Sequence, residues 1–251
     1  MANSRGQRML LLGVYGMEMV ECGGALRKNV ESGGASHASI LFAGEAMRKG
    51  LKRSAEILGC SVEFLGMDTG EISGTRAEKL EIVRVIRAFR PDIIITQDPE
   101  HCVSDLDPGR RPAMTILLEG MALAGRDYAV EELGGLAPHR DFTIYYMTPE
   151  HPNCLVDISG VWAEKCAAMD ALESQLEFIG LLMEGSSRKA QYGMLIPGFD
   201  QLTGNLEIGT AAKRLMDQAY HLYQGSTGHN DVFLSESYRK DSMFILDNLM
   251  K

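Results

Sequence analysis

The segment Asp92–Thr96 carries three consecutive isoleucines directly after Arg90-Pro91. A run that short and apolar on both faces fits a strand covered on both sides, the habit of parallel sheets. The preceding stretch, Thr75–Phe89, spaces Leu80, Val83, Ile86 and Phe89 by three, which is an amphipathic helix. Arg90-Pro91 stops it, because proline disfavours helical backbone at the residue before it. The same alternation runs upstream. Met9–Val14 reads as a strand, Gly23-Gly24 opens a helix through about Val30, and Gly33-Gly34 ends it. Ala38–Ala43 is a strand, Arg48–Leu58 a helix closed by Gly59, and Val62–Leu65 a strand. Downstream, Pro112–Ala124 is a helix with proline at its start and Gly125 at its end. Strands alternating with helices of this length mean parallel βαβ units and an α/β, doubly wound, mostly parallel sheet. Ligands bind such sheets at the carboxyl ends of the strands. Those ends are Val14–Glu21, Gly44–Glu45, Gly66–Asp68 and Gln97–Arg111.

The second half is less regular. Phe142–Met147 and Leu155–Ile158 read as strands, and Val161–Ile179 as one helix with the face Trp162, Cys166, Met169 and Leu172. Ser186–Gly209, rich in glycine and serine, is expected to be a loop acting as a lid or subunit contact. Thr210–Tyr223 is a helix, and Val232–Leu249 runs from an extended piece into a helix. Without repeats or a linker, residues 1–251 read as a single domain.

A formal net charge of -9 without a basic stripe argues against nucleic acid and against an anionic membrane surface. The apolar runs are strand-sized, short of the roughly 20 residues of a spanning helix. Met1–Arg8 is polar, so no secretory leader is expected. The 5 cysteines lack CxxC spacing, which points to reduced thiols and a cytoplasmic location. Neither GxGxxG, GxxxxGK[ST], GxSxG nor HExxH occurs, and none of the 6 histidines has another four residues away.

Four ordered segments resemble the LmbE-like (PIG-L) N-acetylglucosaminyl deacetylase family. They are GVYGMEMVECGGAL (Gly13–Leu26), Phe42–Glu71 with its Gly-Glu, Leu-Gly and Asp-Gly turn, FRPDIIIT (Phe89–Thr96), and Val156–Gln175. The resemblance implies a Rossmann-like LmbE fold, a homo-oligomer, and zinc-assisted hydrolysis of an amide on an acetamido sugar. In that family two histidines and an aspartate hold zinc while a second aspartate activates the metal-bound water, whose pKa the metal lowers to about 7. Counting back from Gly23-Gly24, the family's zinc ligands fall on Val14 and Met17, and its base on Gly16. Its second motif falls on Asp107-Pro108-Gly109-Arg110-Arg111, with Arg110 at the remaining ligand position. An aliphatic side chain, a thioether and a guanidinium do not replace imidazole and carboxylate. The expectation is therefore no bound cofactor and no metal ligand.

Polar groups remain at the strand ends. Glu18, His101 and Asp107 are the candidate acid/base residues. Tyr15, Glu45, Arg48, Gln97, Asp98, Arg110 and Arg111 are candidates for holding substrate, the two arginines through a carboxylate or phosphate. Glu21 and Asp105 lie among them and are read as solvated loop charge, and Cys22 as a packing residue. Glu18, Asp98, His101 and Asp107 would also suit a relocated oxygen-rich metal site. Three functions stay open: a hydrolase with a rearranged site acting on an amide or related bond of a sugar-like small molecule, a metal-free pseudoenzyme holding a sugar-like or anionic ligand, or metal-free lyase or isomerase chemistry with Tyr15, Glu18 and His101 as acid/base groups, which has no specific signature in the sequence. Under the first, Glu18→Gln or His101→Ala abolishes turnover with little change in melting.

Overall fold

The computed structural model describes residues 6–184, 186–226 and 233–243. The strands are β1 (Arg8–Tyr15), β2 (Ala35–Phe42), β3 (Ser61–Phe64), β4 (Ile93–Gln97), β5 (Thr143–Met147), β6 (Cys154–Asp157) and β7 (Ser235–Lys240). They form a seven-stranded sheet in the order β3-β2-β1-β4-β5-β7-β6. β3, β2, β1, β4 and β5 run parallel, and Leu11 of β1 stands between Ala38 and Ile95. β7 returns antiparallel between β5 and β6.

The helices are α1 (Glu18–Glu21), α2 (Gly23–Glu31), α3 (Glu45–Leu58), α4 (Arg76–Phe89), α5 (Pro99–Ser104), α6 (Arg110–Ala124), α7 (Trp162–Asp170), α8 (Glu173–Met183), α9 (Ser187–Leu195) and α10 (Asn205–Ser226). Alternation along β1 separates two cores. Leu11 joins Leu26, Leu51, Leu58 and Leu172 under α2, α3, α7 and α8. Leu10, Leu12 and Val14 join Val83, Ile86, Ile116 and Leu117 under α4 and α6. α4 begins in a capping box, with Thr75 and Glu78 each bonding the other's backbone, and ends at Arg90 with φ 52 ahead of Pro91. No helix among the described residues is long and apolar enough to cross a membrane.

Two expected elements differ. Val161–Ile179 is two helices, because Leu172 leaves helical backbone at ψ 49 and turns its side chain fully into the core. Apolar periodicity continues across that break, so the pattern hides it. The expected loop Ser186–Gly209 contains α9, a 3-10 turn at Phe199–Gln201 and the first turn of α10. Phe199 stacks on Tyr192 with ring centroids 5.6 Å apart and is buried with Met183, Ile208 and Ala212. That small core outweighs the low helix propensity of glycine and serine. Gly209 marks a close crossing rather than a helix stop: a Cβ there would lie 1.8 Å from the Leu176 carbonyl oxygen of α8. The helix expected in the tail falls largely outside the described residues.

A buried polar knot ties the late strand to the early helices. Glu236 on β7 accepts hydrogen bonds from the N–H groups of Gly24 (2.7 Å) and Ala25 (2.9 Å) at the start of α2. It also accepts from Lys165 Nζ at 2.8 Å and from the Tyr238 hydroxyl at 2.7 Å. Nearby, buried His221 of α10 donates from Nδ1 to the Ser235 carbonyl at 2.7 Å. Burial, then the charge on Lys165, lowers its pKa from 6.5 to about 4. Between those values the unfolded chain binds a proton that the folded chain refuses, so stability falls as pH drops through that window. A loss of about 2–3 kcal/mol is expected between neutral pH and pH ~4 from the free energy of one pKa unit. Urea unfolding as a function of pH reads it, and His221→Gln should flatten the profile.

Candidate functional site

The carboxyl ends of β1 and β4 meet in a compact polar cluster. β1 ends at Tyr15 and leads directly into α1, which brings Glu18 back beneath the strand tip. Glu18 is 2% exposed. One of its carboxylate oxygens accepts the Val14 N–H at 2.6 Å, and the other accepts Arg110 Nη1 at 2.7 Å. Burial raises its pKa against the opposing pull of Arg110 and the Val14 N–H. Arg110, at the first turn of α6, also donates to Gln97 Oε1 at 3.1 Å, and its Nε lies 3.3 Å from Asp105 Oδ2. Its guanidinium carbon stands 5.2 Å from the centre of the Tyr15 ring. Gln97 closes the arrangement by donating to the Arg110 carbonyl at 3.0 Å.

Tyr15 donates to Asp107 Oδ1 at 2.8 Å, and burial together with that bond pushes its pKa up to about 12. His101 on α5 stands half-exposed with Nε2 3.3 Å from Asp105 Oδ2 and Nδ1 3.7 Å from Glu150. Asp105 thus bridges His101 and Arg110. Its pKa is lowered, first by the Asp107 N–H and then by Arg110 and His101. Asp98 caps α5 by accepting the Glu100 N–H at 2.9 Å, with Pro99 in the first helical turn. The same carboxylate pairs with both edges of Arg239 at 3.0 and 2.6 Å, and Arg239 lies 4.5 Å over the Tyr146 ring.

The remaining expected residues sit farther out. Glu45 is solvent-exposed at the start of α3, 3.8 Å from Arg48, whose Nε donates to the Ala43 carbonyl. Arg111 is exposed and donates to the Asp105 carbonyl. Tyr15, Glu18, Gln97, Asp107 and Arg110 come together with His101 reached through Asp105, whereas Glu45, Arg48 and Arg111 form an outer rim. Asp105, read as loop charge salt-bridged to neighbouring arginines, is paired with Arg110 and also with His101. Arg239 was missed, since nothing near Asp98 in sequence announces a strand returning from the far end of the chain. Cys22 is buried with its thiol pushed well up by burial, in keeping with packing.

The donor set does not fit zinc. Val14 turns its side chain into the core beneath α4 and α6, and Met17 packs against the other core. Arg110, which the resemblance puts at the remaining ligand position, is a cation held by Glu18. A Cβ on Gly16 would lie 2.8 Å from Leu51, and one on Gly109 would lie 2.9 Å from both Phe42 and the Tyr15 hydroxyl. An added side chain there would require Leu51, or Phe42 and Tyr15, to shift. Among the described residues, no three His, Cys, Asp or Glu side chains are grouped to hold a metal.

No family model matches the chain. A diacetylchitobiose deacetylase of Thermococcus kodakarensis is 35% identical over 127 residues, which is 49% of this chain and 47% of that protein. The chain thus matches about half the length of that curated relative. The N,N'-diacetylchitobiose deacetylase structure from Pyrococcus horikoshii superposes with a TM-score of 0.70 at 17% identity, covering 95% of this chain and 85% of that one. The 4-carboxy-2-hydroxymuconate hydratase from Pseudomonas putida KT2440 gives 0.62 at 20% identity, covering 96% and 99%. The fold is that of the LmbE-like (PIG-L) deacetylases, and the sequence resembles theirs.

Proposed function

We propose that the chain is a hydrolase-class protein that acts on an amide or related bond of a sugar-like small molecule without bound zinc. Its sequence match to a deacetylase supports the class, and one observation carries the mechanism: the continuous line His101–Asp105–Arg110–Glu18 at the strand ends. Glu18 and Gln97 fix the guanidinium, so it is oriented before substrate arrives. In this reading Arg110 polarises the scissile carbonyl, and His101, oriented by Asp105, removes a proton from the attacking water. The same proton goes to the leaving nitrogen, so water and amide give acid and amine. Tyr15, Gln97 and Arg111 line the approach, with Asp107 fixing the Tyr15 hydroxyl and Asp98 fixing Arg239.

Acetate release from N-acetylglucosamine and diacetylchitobiose is the assay. His101→Ala and Arg110→Ala are each expected to lower turnover by about 100-fold, the range of one acid/base or electrophilic group. A chelator should leave the wild-type rate unchanged. Turnover that needs added zinc defeats this mechanism.

A second reading is favoured by the occupied oxygens of Glu18 and by the closed position of Gly16: a pseudoenzyme that binds the same class of ligand. Ligand-dependent thermal stabilisation with no acetate release selects it. The exposed side chains of Phe178, Leu181, Leu182, Met194 and Leu195 support a homo-oligomeric assembly in either case. A cytoplasmic location with no nucleic-acid or membrane partner accords with the reduced thiols and the acidic charge.

A further inference from the structure

A cavity of about 270 Å³ lies on the face of the sheet that α2 covers, and it shares no residue with the strand-end cluster. Strand alternation builds its floor. Met9 pairs across the sheet with Ile93, Ile95 with Tyr145, and Cys154 with Tyr238, so these side chains and Val156 turn to one face. From the helix layer α2 contributes Ala25. Glu236 fixes the start of that helix through the Gly24 and Ala25 N–H groups, and a methyl group held there is too short to fill the space above the floor. Met9, Ile93, Tyr145, Cys154 and Val156 therefore stay half-buried, and an apolar guest that covers them is favoured.

The wall sets the chemistry of that guest. Among the described residues lining the cavity none is charged. An ionised guest would give up its hydration there with no partner in return, so the guest is neutral. Tyr145 and Tyr238 meet edge to face, with ring centroids 6.3 Å apart and planes at 86°. Met9 and Cys154 add sulfur to the same wall. Ring edges and sulfur both interact better with a flat aromatic ring than with a saturated one. An apolar hollow of roughly 150 Å³ takes up benzene. One of about 270 Å³ has room for two fused rings.

We propose that this cavity binds a neutral, flat aromatic molecule of two fused rings, seated between Ala25 and the Tyr145–Tyr238 corner. The site is independent of the hydrolase reading, and an Arg110→Ala protein retains it. Indole is the probe, with indole-3-carboxylate as the charged control and cyclooctanol as the saturated one. Calorimetric titration of the full chain should give a dissociation constant of about 0.3 mM for indole, the scale for a ligand of so few atoms. Each control should bind at least about tenfold more weakly. Ala25→Phe puts a ring into the space and should weaken indole by about tenfold or more. A second readout needs no variant to fold. The half-buried Cys154 thiol lines the cavity, so about 1 mM indole should slow its alkylation by N-ethylmaleimide roughly fourfold while Cys60 and Cys166 react at unchanged rates. No binding of indole, equal binding of either control, affinity unchanged by Ala25→Phe, or an unprotected Cys154 overturns the proposal.

Discussion

Alanine in place of Glu236 is expected to cost about 4 kcal/mol of stability, within the range for removing one partner of a buried ion pair. For a chain of this size that lowers the melting temperature by roughly 10 °C. Glu236 and Lys165 have side chains only 3% and 2% exposed. Removing the carboxylate strands the ammonium, two N–H groups at the start of α2 and the Tyr238 hydroxyl together. Lys165 keeps its bonds to the Val20 and Glu21 carbonyls, which soften the loss without supplying a counter-charge. Scanning calorimetry reads the shift. Pairing Glu236→Leu with Lys165→Met should recover part of it, because the pair is then replaced by apolar volume. A loss below about 1 kcal/mol, the scale of one ordinary hydrogen bond, would show that Glu236 does not anchor α2.

Glu18→Ala is expected to cost about 3 kcal/mol, at the low end of the same range because Arg110 is 22% exposed and can recruit water. The sequence expectation is for Glu18→Gln, with melting nearly unchanged; a loss of this size on Glu18→Ala would run against it. Glu18 is a tie between the tip of β1 and the start of α6, so its loss acts on stability and on the placement of Arg110 together. A double-mutant cycle of Glu18→Leu and Arg110→Met, followed by urea unfolding, should give a coupling above about 1 kcal/mol. Additive single losses would mean that the two side chains are independent. His101→Ala, by contrast, removes a half-exposed side chain and should leave melting nearly unchanged.

The sheet was legible because its signals are local and repeated. The isoleucines at 93–95, the spacing of Leu80, Val83 and Ile86, and the Pro91 stop each report on one element. They agree with β4 and α4 to within a residue. The carboxyl-end rule then pointed to the loops after β1 and β4, where the cluster lies. What stayed hidden depends on contacts between distant segments. Arg239 meets Asp98 only because β7 inserts antiparallel beside β5. Glu236 shows its partners only once α2 is placed against it. The stretch 186–209 looks like a loop because one of its glycines, Gly209, acts in packing at the α8–α10 crossing, while Gly198 does make a left-handed turn at φ 78. That Asp105 links His101 to Arg110 was hidden because the two are joined only when α5 and α6 converge.

The insertion of β7 also sets an order on how the molecule can be made. β6 borders the sheet only through β7. Cys154 and Val156 therefore wait for Tyr238 and Glu236 before they have a neighbour. On the ribosome, where segments emerge in sequence, β1 to β5 can assemble while β6 still dangles as an open edge. The nascent chain is then most vulnerable to sticking or to proteases between the emergence of β6 and that of β7.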